Sequence, residues 1–517
     1  MVPLRAALEA ERAGRMLESF RLCADALRAV PDDADALNLM GRLCGAGGDA
    51  VAAIGFQRHA LLVDPEHTRA RADLDRALAP FPSRASGDAA FAAACELRPD
   101  IAAHHLAPGT LPAFPALDRA RALLDEAVAL NPGNGAAHAA LGNVLARTGA
   151  FAEALAAYRR AVLLEPDAAD AQLATAEIEY NFDDLESARY HYANAFARCI
   201  LFSTPAPQGA RRSVLVLARP APGSANVPLD FVVDHERIAI HRLYLPNDDT
   251  AALSSPLPSY DLIFNAVSES EAAAGAVGLA AQFIDSQSKP VFNHPRNLWK
   301  TARPSLAPAL RDVPHCIVPQ TRRLARDVSL DAASFPLLAR PIDSHAGRDL
   351  ERVENNAELA AYIADRPSEP GFDVTEYVEY RSADGYYRKY RIMFVDGLAY
   401  PYHLAISPNW MIHYKTSAMF DCQWMRDEEA AFLNDPGAVF PYWIETMEAL
   451  AAAIGLDYFG IDAARTDGGE LLVFEADAAT FVHAKDSPER FPYKPPAVAR
   501  IVAAVGAMFE RALTLRE

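Results

Sequence analysis

The stretch Leu456-Asp-Tyr-Phe-Gly-Ile-Asp462-Ala-Ala-Arg-Thr466-Asp-Gly-Gly469-Glu-Leu-Leu-Val-Phe-Glu475-Ala-Asp477 reads as two apolar runs joined by a turn. Thr466-Asp-Gly-Gly469 between such runs predicts a β-hairpin, because these residues supply the positive φ angles of a tight turn. A two-residue Gly468-Gly469 loop places Asp462 directly opposite Glu475, and an Asp467-Gly468 loop keeps both on one face. A three-residue loop would separate them. Asp477 shares the face of Glu475, since side chains alternate along a strand. Three carboxylates on one face repel one another. Their retention predicts a cation or basic group between them, and Mg²⁺, a hard cation that takes oxygen ligands, meets that need.

Working outward, Tyr386-Tyr-Arg388-Lys389-Tyr-Arg391-Ile-Met-Phe-Val-Asp396-Gly397 predicts a strand running into an Asp-Gly turn and a second strand beyond it. Lys389 shares the face of Arg391, and Arg388 faces the other side. Three bases within four residues stand out in a chain of net charge −19. Tyr402–Lys415 follows, with His403, Ser407, His413 and Lys415 as candidates to line a substrate pocket. Further upstream, Phe335-Pro-Leu-Leu-Ala-Arg340 predicts a strand, followed by the small, turn-capable Ser344-His345-Ala-Gly347. Basic charge beside such a loop suits phosphate, because Gly lets backbone N–H groups converge on an anion.

These elements, in this order, resemble the ATP-grasp superfamily over about residues 212–510, with the glutathione-synthetase-like ligases as the nearest pattern. In that family an Asp on one strand precedes a Glu-x-Asn on the next, both binding metal. Asp462 and Glu475 match, and Asp477 replaces the Asn. The resemblance implies that Arg340, where the family has Lys, and Ser344, His345 and Gly347 cover ATP phosphates. It implies that Glu376, Tyr377 and Val378 receive adenine, and that Arg391, with Lys389 on its face and Arg340 nearby, acts on the transferred phosphoryl group. Asn293-His-Pro295-Arg-Asn-Leu-Trp-Lys300-Thr-Ala-Arg303 resembles the segment before the first ATP-binding Lys, so Lys300 and Arg303 compete for that role. Asn293 is a further substrate-side candidate, at the end of a strand. ATP and Mg²⁺ are the implied cofactors. The implied activity is an ADP-forming ligase that joins a carboxylate to an amine or thiol through an acyl phosphate. A non-catalytic binding scaffold and a kinase of the same fold are the alternatives. No P-loop pattern is present.

Ahead of this domain, Val214–Ala218, Leu262–Ala266 and Pro290–Asn293 are apolar runs separated by helical stretches such as Glu271–Ser286, which predicts an α/β domain with a largely parallel sheet over 213–330. The resemblance implies that residues 331–517 then form the nucleotide and metal domain. Ser203–Arg212 is rich in Pro and Gly and predicts a linker.

Before the linker, prolines stand at Pro31, Pro65, Pro99, Pro132 and Pro166, at intervals of 34, 34, 33 and 34 residues. Gly142, Ala154, Tyr158 and Ala161 mark one unit, and Ala176, Ala188, Tyr192 and Ala195 the next. Small residues let two helices approach, and the aromatic fills the groove. This period resembles the tetratricopeptide repeat over 1–202, so the fold class expected is an all-α solenoid followed by the two mixed α/β domains. The pattern weakens between Arg69 and Pro115, where Ala107-Pro-Gly-Thr-Leu-Pro breaks a helix. Such arrays build concave surfaces for peptides or proteins.

The 517 residues, 51% hydrophobic and 23% charged, describe a folded chain of several domains. A net charge of −19 argues against a sequence-independent nucleic-acid binder. The six cysteines form no CxxC pair, which predicts a reducing compartment. The start carries no signal-peptide pattern, and no window reaches 18 apolar residues, so a cytoplasmic protein without membrane or nucleic-acid partner is expected.

Overall fold

A computed structural model of the chain describes residues 2–30, 33–46, 50–78, 121, 124–125, 128, 132–147, 150–182, 184–203, 212–221, 225–234, 237–245, 256–325, 335–344, 347–412, 417–483, 486–487 and 489–514. It divides into two units, Met1–Cys199 with Thr204–Arg211, and Ile200–Ser203 with Arg212–Glu517.

The first unit is helical. Its described helices are α1 (Val2–Arg12), α2 (Met16–Ala29), α3 (Ala34–Ala46), α4 (Ala50–Val63), α5 (Thr68–Leu78), α6 (Gly135–Arg147), α7 (Phe151–Leu164), α8 (Ala169–Asn181) and α9 (Leu185–Phe196). They pack as pairs: α1 with α2, α3 with α4, α6 with α7, α8 with α9. The small residues act as expected. A Cβ on Gly142 would lie 2.6 Å from the Tyr158 ring, so only glycine on α6 lets that ring seat itself. Gly41 on α3 stands in the same relation to Gln57 of α4, at 2.5 Å. Ala154, Tyr158, Ala161, Ala176, Ala188, Tyr192 and Ala195 are all buried. The weak stretch around Ala107 lies outside the described residues.

The second unit begins with a sheet of β1 (Leu201–Ser203), β2 (Arg212–Ala218), β3 (Ile238–Tyr244), β4 (Leu262–Asn265) and β5 (Val291–Phe292), in the order β1-β3-β2-β4-β5. β2 to β5 run parallel, as the alternation of strands and helices predicts, and β1 is antiparallel to β3. The sequence passes over β3 because His241 and Arg242 interrupt its apolar run. β1 straddles the boundary expected at 202/203 and belongs to this unit. Helix α10 (Ala274–Asp285) packs its Ala276, Val277, Ala280 and Phe283 into the same core as β2 and β4.

β6 (Cys316–Ile317) and β7 (Thr321–Ala325) then leave this sheet for two others. β7 joins an antiparallel sheet with β8 (Leu337–Pro341), β9 (Glu351–Val353) and β10 (Gly371–Glu376), in the order β7-β10-β8-β9. β6 joins β11 (Tyr387–Val395), β12 (Leu398–Ser407), β13 (Tyr458–Arg465) and β14 (Leu471–Asp477), in the order β12-β11-β13-β14-β6. Two strands that precede residue 331 therefore pair with strands that follow it, across the boundary expected from sequence. Among the described residues, no helix is long and apolar enough to cross a membrane.

Candidate functional site

β13 and β14 form the expected hairpin, but its loop has three residues. Thr466 N–H donates to the Glu470 carbonyl at 3.0 Å, and Gly469 N–H donates to the Thr466 carbonyl at 2.9 Å. Gly469, at φ 86°, supplies the left-handed residue that ends such a loop. A three-residue loop should have parted the acids. It does not, because Phe474 is an extra residue in β14: Ala463 pairs with Val473, while Asp462 pairs with Glu475 and Gly460 with Asp477. The bulge cancels the offset of the loop. Phe474 rests on the ring of Tyr380, with centroids 4.9 Å apart.

On the other side of β13, Arg391 of β11 is the cross-strand partner of Asp462. Its Nε donates to Oδ1 at 2.7 Å and its Nη2 to Oδ2 at 2.9 Å. Lys389 Nζ lies 2.9 Å from the same Oδ2. Burial alone would raise the pKa of Asp462, but Arg391 and Lys389 hold it far below the usual carboxylate range. Arg388, on the opposite face, is tied to Asp384 and Glu428.

The expected metal set of Asp462, Glu475 and Asp477 is brought together on one face of the hairpin. The three acids share a face, yet both oxygens of Asp462 are taken by bases, and Asp477 Oδ1 accepts the Ala479 N–H at 2.7 Å. Among the described residues, no group of three or more His, Cys, Asp or Glu side chains could hold a metal ion. A guanidinium and an ammonium from the neighbouring strand neutralise Asp462.

A second basic group forms where β8 ends. Arg340 Nε donates to Ser344 Oγ at 2.9 Å and its Nη2 to the Ser344 carbonyl at 2.6 Å. Arg303, which opens helix α11 (Arg303–Leu310), donates Nη2 to that same carbonyl at 2.9 Å. Two guanidiniums thus share one oxygen. Burial, and then the charge of Arg303, push Arg340 down to about 10. Arg303 also lies 3.9 Å from Glu475 Oε2 and 3.9 Å from Asp373 Oδ2, so it links this group to the carboxylate hairpin.

A tetratricopeptide repeat family model matches residues 116–178. No curated protein matches the chain. Among solved structures, the chain is similar to the VanG D-Ala:D-Ser ligase of Enterococcus faecalis, at 10% identity and a TM-score of 0.36, over 58% of this chain and 99% of that one. It is similar to a RimK domain ATP-grasp protein of Sphaerobacter thermophilus, at 14% identity and a TM-score of 0.35, over 57% and 98%. It is also similar to a thermophilic TPR protein of Thermus thermophilus, at 23% identity and a TM-score of 0.17, over 38% and 90%. The chain joins tetratricopeptide-like helices to mixed α/β sheets.

The remaining candidates divide. Lys300 is drawn away from the cluster: its Nζ donates to the carbonyls of Ala453 and Ile454 at 2.8 and 3.1 Å, capping the end of a helix (Trp443–Ile454). Of the two competing bases, Arg303 is the one beside the acids. Asn293 is held by the backbone of another strand. Fully buried at φ 53°, its Oδ1 accepts from Asp457 and Tyr458 N–H at 2.9 and 2.7 Å, and its Nδ2 donates to the Tyr458 carbonyl at 2.7 Å. It staples the parallel sheet to the start of β13. His403 pairs with Arg391 across β12 and β11, but its Nδ1 lies 2.7 Å from Glu429 Oε1, which also accepts Leu404 N–H. Tyr493 and Lys494 complete this buried network, and burial pushes His403 down to about 4. Ser407 Oγ accepts Asn409 N–H at 3.0 Å and closes a turn.

At the expected adenine strand, Glu376 and Tyr377 N–H already donate to the carbonyls of Gln320 and Pro336, while the Arg352 guanidinium lies 4.2 Å from the Tyr377 ring centroid. Val378 packs partly buried beside Tyr380 and Trp410. Gly347 takes φ 71° in the loop after Ser344. His345, His413 and Lys415 lie outside the described residues.

Sequence reasoning missed Glu269. It follows β4 and is brought under the charge of Asp477, and burial, then that charge, push it up to about 8. Its signal was an acid in Ser268-Glu-Ser-Glu271, just past the carboxyl end of a parallel strand, where ligands gather.

Proposed function

We propose that the second unit is an ATP-dependent, ADP-forming ligase that joins a carboxylate to an amine or thiol through an acyl phosphate, with the repeats recruiting a peptide or protein. The observation that carries this reading is the convergence of Arg303 and Arg340 on the Ser344 oxygens, within reach of the Glu475 side of the hairpin. Like charges that meet in this way suit an anion, and in this reading a phosphate oxygen takes the donors that Ser344 O now accepts.

In this reading Arg303 and Arg340 bind the nucleotide phosphates. Arg391 and Lys389 face the migrating γ-phosphoryl group, which leaves ADP and bonds to the substrate carboxylate oxygen. Attack by the nucleophile on the acyl carbon then expels phosphate. Such a transfer needs positioning and electrostatic stabilisation more than a nucleophilic side chain.

One observation favours a second reading, nucleotide binding without turnover: Arg391 and Lys389 are both engaged by Asp462. Titration calorimetry of ATP, with and without MgCl₂, into wild type and Arg303→Met tests the site. Binding that the variant loses, with ADP release that depends on added carboxylate, supports the ligase. Binding without any ADP release supports the scaffold, and no binding at millimolar ATP overturns both.

A further inference from the structure

Phe372 and Val374 of β10 face the apolar core of their sheet, so alternation puts Asp373 on the other face, where a solvated acid is expected. Asp373 is instead 1% exposed. It is the cross-strand partner of Arg323 on β7 and of Arg340 on β8, which places all three side chains on that face. Arg323 donates Nε to Asp373 Oδ1 at 3.0 Å and Nη2 to Oδ2 at 3.5 Å. Arg303 brings its Nη1 to 3.9 Å from the same Oδ2. One buried carboxylate thus stands among three guanidiniums, two of which converge on the Ser344 carbonyl.

A buried acid needs a base to neutralise it, and Arg323 alone meets that need. The other two bases gain something different from it. Arg303 and Arg340 aim Nη2 donors at one oxygen, so their charges repel, and two long side chains left to themselves would splay apart into water. Asp373 opposes this. The guanidinium is a rigid fork, and that of Arg303 is split, with Nη1 turned to Asp373 and Nη2 to the Ser344 carbonyl. Fixing one prong on the acid fixes the direction of the other.

We propose that Asp373 is a positioning residue for anion binding: it holds the forks of Arg303 and Arg340 on one oxygen, while Arg323 neutralises it from the strand on its other side. The proposal rests on the reading of Arg303 and Arg340 as the groups that bind nucleotide phosphate. It makes a prediction opposite in sign to that of charge alone. Removing a negative charge beside a phosphate site should tighten anion binding if only charge matters, whereas losing the group that aims the donors should weaken it.

The test is titration calorimetry of ATP with MgCl₂, and separately of inorganic tripolyphosphate, into the full chain. Asp373→Asn is expected to weaken binding of both at least about tenfold. In a chain already carrying Arg303→Met, the same change is expected to cost under about threefold, because the fork it aims is gone. Unchanged or tighter binding by Asp373→Asn overturns the proposal. So does an equal loss in the two backgrounds, which is what a general structural defect gives. Where Asp373→Asn does not fold, Asp373→Glu, which keeps the charge and moves it by one methylene, is expected to weaken binding about tenfold, and unchanged affinity overturns the proposal.

The two ligands separate this proposal from the nucleotide reading. Tripolyphosphate binding that depends on Asp373, with no binding of ATP, upholds the positioning role and ends the ligase reading. Binding of both without dependence on Asp373 overturns the positioning role and leaves the ligase reading standing. No binding of either overturns both.

Discussion

Arg391 and Asp462 face each other across one rung of the sheet, joined by two hydrogen bonds of 2.7 and 2.9 Å, with Lys389 closing on the same carboxylate. Glu475 and Asp477 act on the same Arg391, so the two bases sit among three acids.

Asp462→Asn should therefore be costly. The carboxylate is 4% exposed, and its removal leaves two bases facing each other. Breaking a buried pair from one side costs about 3–5 kcal/mol, and water reaching Arg391 and Lys389 lowers this to about 2 kcal/mol. Urea unfolding measures the loss; a change under about 0.5 kcal/mol would refute the pairing as a structural element.

Glu269 and Asp477 work in the opposite sense. Burial and the charge of Asp477 push Glu269 up to about 8, and burial with the charge of Glu475 pushes Asp477 up to about 6. From about pH 4, where unfolded carboxyls titrate, up to those values the folded chain holds more protons than the unfolded one, so stability falls as pH rises. Asp462 has a depressed pKa, so its contribution is complete above about pH 4 and is lost only in strong acid. Chemical unfolding as a function of pH should show a decline toward pH 8 that Glu269→Gln makes shallower. Parallel curves for the two proteins would contradict this.

Two helical glycines should respond oppositely to alanine. Gly142→Ala drives a Cβ to 2.6 Å from the Tyr158 ring and should destabilise the repeats by about 1–3 kcal/mol, with partial rescue by Tyr158→Leu. Gly278, in α10, has nothing within 4 Å of the same position, so Gly278→Ala should stabilise by about 0.5–1 kcal/mol. Circular dichroism melts of both variants compare them directly.

Lys300 and Arg303 separate stability from binding. Lys300→Met removes a cap from the Ala453 and Ile454 carbonyls, and should cost about 1 kcal/mol while leaving ATP affinity unchanged. Arg303→Met should weaken ATP binding at least about tenfold, roughly 1.4 kcal/mol. Calorimetry and melting curves on both variants check the pair, and equal effects of the two on ATP affinity would contradict it.

Much of the architecture was legible in the residues. Prolines at a 34-residue interval, small residues in step with them, apolar runs at strand length and an Asp-Gly-Gly turn are local patterns. Each reports the period of its own segment, which backbone geometry fixes without reference to the rest of the chain. The site was legible only in part. Asp462, Glu475 and Asp477 were placed on one face from a two-residue loop, and they share it because the Phe474 bulge offsets a three-residue one.

What the tertiary structure alone decided is which charges meet. That Phe474 is a bulge, that Arg391 lies opposite Asp462, that Lys300 caps a helix, and that Glu269 of a distant segment comes under the charge of Asp477 are all consequences of which strands become neighbours. A side chain's partner depends on the residue across the sheet or at the end of the next helix, often more than a hundred positions away, and periodicity along the chain carries no record of that distance.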